Sequence, residues 1–350
     1  MLKISALSLY NFRSYDSFEL EDIGDLTVFA GPNASGKTNA LEALHLLTAL
    51  SSFRNAMPTE LIGRGSGAAR AKASLEGDGR MVDIELKVED GKRRWLQNGK
   101  PRPAKQLKGT LPSIAFTPDD LQIVKGSDKR RRRELDMLGS QLNANYHQIM
   151  RDYEKILRQK NSLLKDGIAG SMLDAVNDVF AIVAEQYSHY REALFDRLMP
   201  LHSESYAHMA GARSEGETLS GRYERSWAGD TKAALEEAAQ EELARGRALI
   251  GPHLDKIAYM IDGLDASSFA SQGQQRSIVL SLKMAEVDLI EQITGDTPVL
   301  LLDDVMSELD ASRRSALVQL VSKGSQTFLT TANIDYFDEG MLGRARVVQL

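Results

Sequence analysis

Gly31-Pro32-Asn33-Ala34-Ser35-Gly36-Lys37-Thr38 is the stretch that decides the fold. Its Gly-x4-Gly-Lys-Thr spacing follows an apolar run at 25–30. A helical period follows over 38–50, with Leu41, Leu44, Leu47 and Thr48 on one face. Strand, glycine loop and helix in that order make a phosphate cradle. Gly31 and Gly36 let the chain turn so that consecutive N–H groups aim at one anion, at the positive end of the helix. Lys37 is placed to reach the β- and γ-phosphates of a nucleotide, and the Thr38 hydroxyl to ligate Mg²⁺. Such a loop calls for an α/β fold.

The rest of the chain fits that frame. Its 350 residues leave room for two domains, or for one carrying a large insertion. Residues 2–9 and 81–88 alternate as half-buried strands, and Gly91, Asn98-Gly99, Pro101 and Pro103 mark turns after them. From about residue 140 the apolar period becomes three and four. One stripe includes Tyr146, Tyr153 and Leu163; another includes Leu173, Phe180, Tyr187 and Leu198. Two long helices broken near Gly167 and Gly170 predict an antiparallel hairpin whose stripes pack a core. A polar, Gly/Ser-rich stretch at 211–229 and a third helix at 231–248 follow. Beyond Gly251-Pro252 come a helix over 277–293, a buried strand at 299–302, and strands at 327–330 and 347–350. The expected architecture is one discontinuous α/β domain, 1–136 plus 248–350, interrupted by a helical lobe over 137–247.

Composition removes several function classes. The chain has no cysteine, which excludes disulfides, thiol nucleophiles and thiolate zinc sites. No apolar run approaches the roughly 20 residues that cross a bilayer. The first residues lack the apolar core of a signal peptide. A cytoplasmic location with no membrane partner is expected. The net charge of −6 argues against indiscriminate nucleic-acid binding but leaves room for a local basic face.

Two further elements carry chemistry. Val299-Leu300-Leu301-Leu302-Asp303-Asp304 ends a buried strand on two carboxylates. Asp303 is placed to hold Mg²⁺ and Asp304 to polarise an attacking water. Ser271-Gln272-Gly273-Gln274-Gln275 opens a helix, where a hydroxyl, a backbone N–H and the helix dipole can meet an anion. Alone, this pentapeptide serves equally as a plain helix cap.

Glycine loop, then this signature, then an acidic strand about 30 residues later resembles the ABC-type ATPases. The resemblance implies an ABC-type ATPase head with ATP and Mg²⁺ as cofactors. It places the nucleotide on Gly31, Pro32, Asn33, Ala34, Ser35, Gly36, Lys37, Thr38 and Asn39, with Thr38 and Asp303 on the metal. Ser271, Gln272, Gly273 and Gln274 would close on the γ-phosphate held by a second copy, so that ATP makes a homodimer. Ser307-Glu308-Leu309-Asp310 resembles the D-loop at that seam. Thr330-Thr331 stands where these ATPases carry a switch histidine.

Within the class, Leu9-Tyr10-Asn11-Phe12-Arg13-Ser14-Tyr15 is similar to the opening strand of the SMC and RecF group, with Arg13 near the nucleotide. An insertion of about 110 residues is far shorter than an SMC coiled coil. Phe116-Thr117-Pro118-Asp119-Asp120-Leu121-Gln122-Ile123-Val124-Lys125-Gly126 resembles a RecF-family hallmark, as does the run from Leu302 to Arg314. Gly251-Pro252-His253-Leu254-Asp255 resembles that family's Gly-Pro-His-Arg-Asp segment, with Leu254 in place of arginine. Ser127-Asp128 stands where a proline is usual, and Glu134 where an aromatic is. The resemblance implies Asp304, Lys37 and Gln122 as catalytic residues. It also implies slow hydrolysis, because Asp304 is shorter than the usual glutamate. Expected partners are RecO, RecR and double-stranded or gapped DNA, in recombinational repair that helps load RecA. A transporter subunit would carry another signature. An OLD-type nuclease would need more than the 40 residues after Asp310.

Three basic stretches could meet DNA: Arg54, Arg64 and Arg70; Lys100, Arg102, Lys105 and Lys108; and the run Lys129-Arg130-Arg131-Arg132-Arg133. No aromatic residue interleaves them, so duplex backbone contacts are expected rather than base stacking. Arg54, Arg64, Lys105, Lys108, Arg130, Arg131 and Arg132 are the candidate contacts.

Overall fold

The computed structural model describes residues 2–210, 216–322, 324–334, 337 and 339–350. The chain forms two compact units, Met1–Asp120 with Leu282–Leu350, and Leu121–Ser281. The stretch expected as a helical lobe, 137–247, falls inside the second unit.

The discontinuous unit contains two sheets. Its strands before the second unit are β1 (Lys3–Phe12), β2 (Tyr15–Leu20), β3 (Leu26–Ala30), β4 (Ala68–Gly77), β5 (Arg80–Glu89), β6 (Lys92–Gln97), β7 (Lys100–Pro101) and β8 (Ser113–Phe116). After β9 (Leu219–Glu224), β10 (Lys256–Ile261) and β11 (Leu264–Asp265) of the second unit come β12 (Val299–Asp303), β13 (Thr327–Thr331) and β14 (Arg346–Gln349). One sheet is antiparallel, in the order β2-β1-β4-β5-β6-β7. It alternates because only one face is buried: Leu7, Leu9, Ala71, Ala73, Ile84 and Leu86 point into the core. The other sheet is parallel, β14-β3-β13-β12-β8. β3, β12 and β13 are buried at every residue, as strands covered on both faces must be.

The helix Lys37–Thr48 corrects one expectation. Its apolar period predicts a single buried face, yet Ala40 through Thr48 are all buried. The helix packs on β8, β12 and β13 of the parallel sheet and on β4 and β5 of the antiparallel one, so it has no solvent side. Its polar residues are therefore satisfied internally. Thr48 Oγ1 donates to Leu44 O at 2.8 Å, and His45 Nδ1 lies 2.6 Å from Ser51 O. Gln326, also buried, binds both backbone groups of Ile4, donating to Ile4 O and accepting from Ile4 N at 2.8 Å each.

The second unit is built on the hairpin Ala144–Lys165 and Ser171–Ala210. Asn143 caps the first helix, its Oδ1 accepting from Asn145 N at 2.8 Å. Tyr146, Tyr153, Leu163, Leu173, Phe180, Tyr187 and Leu198 are all buried. Tyr153 sits 5.4 Å from the Phe180 ring and 5.3 Å from Tyr187. A third helix, Thr231–Arg245, starts from an Asp230 cap. The sheet β11-β10-β9 completes the unit. β9 falls in the stretch that reads as a polar loop, of which 211–215 lie outside the described residues. Six paired residues of β10 impose the strand where local composition does not.

Candidate phosphate-binding site

In a parallel sheet the C-terminal ends of the strands lie along one edge, and ligands bind there. The 31–36 loop leaves the end of β3, Asp303 ends β12, and Thr330 lies near the end of β13. Their registers align Thr330 with Phe29 on one side and with Asp303 on the other.

The loop geometry explains its glycines. A Cβ at Gly31 would overlap the Leu350 carbonyl oxygen and come within 3.0 Å of Ser35 Oγ. Gly36 has φ +105°, and a Cβ there would sit 3.0 Å from both Ser14 Oγ and Tyr15 Oη. Ala34, at φ 69°, also holds a left-handed conformation. Such backbone strain concentrates where a loop must aim its N–H groups. Tyr15 Oη donates to Gly36 O at 3.1 Å, and burial pushes its pKa up to about 12, so it remains a neutral donor. Lys37 Nζ donates to Gly31 O and Pro32 O, both at 2.7 Å. Ser35 Oγ is buried with no hydrogen-bond partner among the described residues.

Thr38 Oγ1 donates to Asp303 Oδ1 at 2.8 Å, joining residues 265 apart in sequence. Thr330 Oγ1 donates to the same oxygen at 2.8 Å and accepts Asp304 N–H at 2.9 Å. Asp304 itself holds φ 51°, turning the chain off the strand, and its carbonyl accepts from Ser307 Oγ at 2.8 Å. The Glu308 side chain lies outside the described residues. This set is all oxygen, from one hydroxyl and one carboxylate, which suits a hard cation completed by phosphate and water.

Glu42 and Ser52, both absent from the sequence reading, help to organise the loop helix. Glu42 is fully buried. It takes a two-pronged ion pair from Arg13, Nε to Oε2 and Nη2 to Oε1 at 2.9 Å each, and a 2.6 Å bond from Ser52 Oγ. Arg13 therefore clamps the β1–β2 turn onto the helix that follows the loop. Asn39 adds a second tie, donating to Ser14 Oγ at 2.9 Å and accepting from Arg54 Nη1 at 3.0 Å. The available signal was an acid, Glu42, inside an otherwise apolar helix.

Comparison with known proteins bears on this geometry. The family described as "RecF/RecN/SMC N terminal domain" matches residues 3–347. The DNA replication and repair protein RecF of Heliobacterium modesticaldum is 37% identical over 100% of this chain and 97% of its own length. That of Gloeobacter violaceus is 36% identical over 99% of this chain and 96% of its own. The chain belongs to the RecF family. A solved structure of the recombination mediator RecF with ATP, 28% identical, covers 96% of this chain and 94% of that one with a TM-score of 0.89. The Pyrococcus furiosus Smc head, 15% identical at a TM-score of 0.54 and covering 93% of that chain, shares the fold. The α/β class is that of the ABC-type ATPase heads, as the RecF resemblance implied.

The remaining expected residues lie in both units. Ser271–Gln274 and Gln122 belong to Leu121–Ser281. Ser271 and Gln274 form a reciprocal cap at the helix Gln272–Thr294: Gln274 N donates to Ser271 Oγ at 3.2 Å, and Ser271 N to Gln274 Oε1 at 2.8 Å. Gln274 Nε2 also donates to Glu217 at 2.7 Å. Gln122 is exposed at the start of the short helix Gln122–Lys125.

The basic candidates divide. Arg64 and Lys105 are exposed, and Arg54 keeps 42% of its side-chain surface. Lys108 donates to Ala49 O at 2.8 Å, and burial pushes its pKa down to about 8. Arg131 caps the helix Gln122–Lys125, donating to Val124 O and Gly126 O at 3.1 and 3.0 Å and to Asp128 at 2.9 Å. Arg132 donates to Asp255 O, and burial holds its pKa down. Lys108, Arg131 and Arg132 are thus committed to internal contacts, which a reading by charge alone cannot see. Arg130 is half-buried. The Gly251–Asp255 segment likewise holds its own unit together. Buried Arg191 donates to Pro252 O at 2.7 Å while forking onto Asp136, and Tyr153 Oη lies 2.6 Å from His253 Nδ1.

Proposed function

We propose that this chain is an ATP-gated DNA-binding protein of replication and recombinational repair. The Gly31–Thr38 loop holds ATP, Lys37 exchanging its two carbonyl bonds for β/γ-phosphate oxygens and Ser35 supplying an uncommitted hydroxyl. Thr38 and Asp303 hold Mg²⁺, which supplies charge neutralisation at the phosphates. Ser271, Gln272, Gly273 and Gln274 of a second copy complete the site, so that ATP drives dimerisation on duplex or gapped DNA. Asp304 and Gln122 support slow hydrolysis that releases the complex. RecO and RecR are the partners, and RecA loading the outcome.

The observation that carries this reading is the 2.8 Å contact between Thr38 Oγ1 and Asp303 Oδ1. A loop hydroxyl and a strand-end carboxylate meet where a nucleotide-bound cation needs both. Light scattering with ATP, ADP or neither, with and without gapped duplex, tests the switch. A dimer is expected with ATP only; a monomer in the presence of ATP and DNA removes the clamp. For Asp304→Ala, ATP binding and dimerisation should persist while single-turnover hydrolysis slows by about a hundredfold. An unchanged rate would take Asp304 out of the chemistry.

A further inference from the structure

Three consecutive residues at the β1–β2 turn reach three residues spaced by three at the start of the helix Lys37–Thr48. Arg13 forks onto Glu42 at 2.9 Å, Ser14 Oγ accepts from Asn39 Nδ2 at 2.9 Å, and Tyr15 Oη donates to Gly36 O at 3.1 Å. Residues three apart lie along one helix face, with a rise of about 4.5 Å between them. An extended chain advances about 3.4 Å per residue, so successive turn residues can meet successive helix positions. The order is antiparallel: residue 13 meets 42, and residue 15 meets 36.

A second segment holds the turn in place. Arg13 N donates to Leu61 O at 3.0 Å and Gly63 N to Asn11 O at 2.7 Å, and Phe12 is fully buried. Asn11 and Arg13 hold left-handed backbone, at φ 46° and 55°. Such conformations cost energy outside glycine and persist where surrounding contacts fix them. The guanidinium of Arg13, which the resemblance set near the nucleotide, is taken up by Glu42.

The contact at Gly36 bears on phosphate chemistry. Gly36 O also accepts from Asn39 N at 2.8 Å and from Ala40 N at 3.1 Å, so three donors fix one carbonyl. In a planar trans peptide the C=O and N–H point in opposite directions. Fixing Gly36 O along the helix therefore aims Lys37 N–H out of the helix N-terminus, where an anion is met. Gly36 has no side chain to hold this peptide, and the Tyr15 hydroxyl restrains it from outside.

We propose that Ser14 and Tyr15 are positioning residues of the phosphate site, presetting the Gly36–Lys37 peptide and the first turn of the helix for a polyphosphate. Neither has to touch the ligand; they act through Asn39 and Gly36. The ligand part they serve is the phosphate chain, because a preset N–H array binds phosphate oxygens and not base or ribose. The inference rests on the ATP-binding reading and assigns part of that affinity to a hydroxyl 21 residues upstream of Gly36.

The test is isothermal titration calorimetry of the full chain with Mg²⁺, titrating ATP and, separately, inorganic tripolyphosphate. Tyr15→Phe keeps the ring and removes one donor; it should raise Kd about fivefold for both ligands. Ser14→Ala should raise both about threefold, and the double variant more than tenfold. Equal factors for the two ligands are what positioning at the phosphates requires. Ser14 is exposed, so Ser14→Ala carries the test if Tyr15→Phe fails to fold. Variants that melt earlier yet bind both ligands as the parent does make the turn a structural support alone and overturn the proposal. A loss for ATP without a loss for tripolyphosphate puts the effect on the nucleoside and overturns it too. A parent that binds neither ligand defeats the ATP-binding reading itself, and the inference with it.

Discussion

Thr330 shows how much one hydroxyl can set. It donates to Asp303 Oδ1 and accepts Asp304 N–H, so it fixes both the carboxylate rotamer and the turn off β12. The resemblance to the ABC-type ATPases expects the switch residue at Thr330-Thr331, where a histidine is usual. Here Thr330 acts from the neighbouring strand, as part of the β12–β13 seam. Thr330→Val keeps the shape and leaves a buried Asp303 oxygen and the Asp304 N–H short of a partner. It should cost about 1.5 kcal/mol in denaturant unfolding, and Thr330→Ser should recover most of it. Equal midpoints for all three proteins would show that the hydroxyl holds nothing. Glu42 sits at the same scale. Its carboxylate is buried without solvent, so the fork from Arg13 and the bond from Ser52 are what make that burial tolerable.

At the scale of elements, the helix Gln272–Thr294 begins on Ser271 and Gln274. The signature is thus a working cap as well as the proposed contact to a second copy, and the two roles separate by experiment. Losing the cap through Ser271→Ala should cost about 1 kcal/mol of stability. ATP-driven dimerisation should be lost altogether by light scattering at a temperature where the variant is folded. A variant that still dimerises with ATP leaves Ser271 as a cap alone. Farther along, His202 Nε2 lies 2.9 Å from Ile278 O, tying the helix Ser171–Ala210 to this one within Leu121–Ser281. The hairpin and the signature therefore share one packed body.

For the molecule as a whole, pH is the lever. Burial pushes both His202 and His253 down to about 4 from an ordinary value near 6.5. A depressed folded-state pKa means that the unfolded chain binds the proton first. Stability is therefore full above about pH 6.5 and falls as pH drops towards 4. The His202 contribution at pH 5 is on the order of 2 kcal/mol. The melting temperature should fall between pH 7 and pH 5, and His202→Gln should flatten that fall; an equal fall in the variant would show that His202 does not titrate with unfolding. The phosphate loop, the acidic strand and the helical hairpin were legible in the sequence because each is written in contiguous residues with a local period or a local backbone requirement. β9 was not, because its strand state comes from pairing with β10, and the ties from Ser14 and Tyr15 to Asn39 and Gly36 exist only because the fold lays the β1–β2 turn along the loop helix. The commitment of Lys108, Arg131 and Arg132 to backbone carbonyls was equally invisible, since a cation's partners depend on what the fold brings beside it. By itself the sequence determined which residues can cradle a phosphate and which segments can be helix or strand. Only the tertiary structure decided that Thr38 meets Asp303 and which cations remain on the surface, because contacts across 265 residues of chain depend on strand order and packing rather than on any local preference.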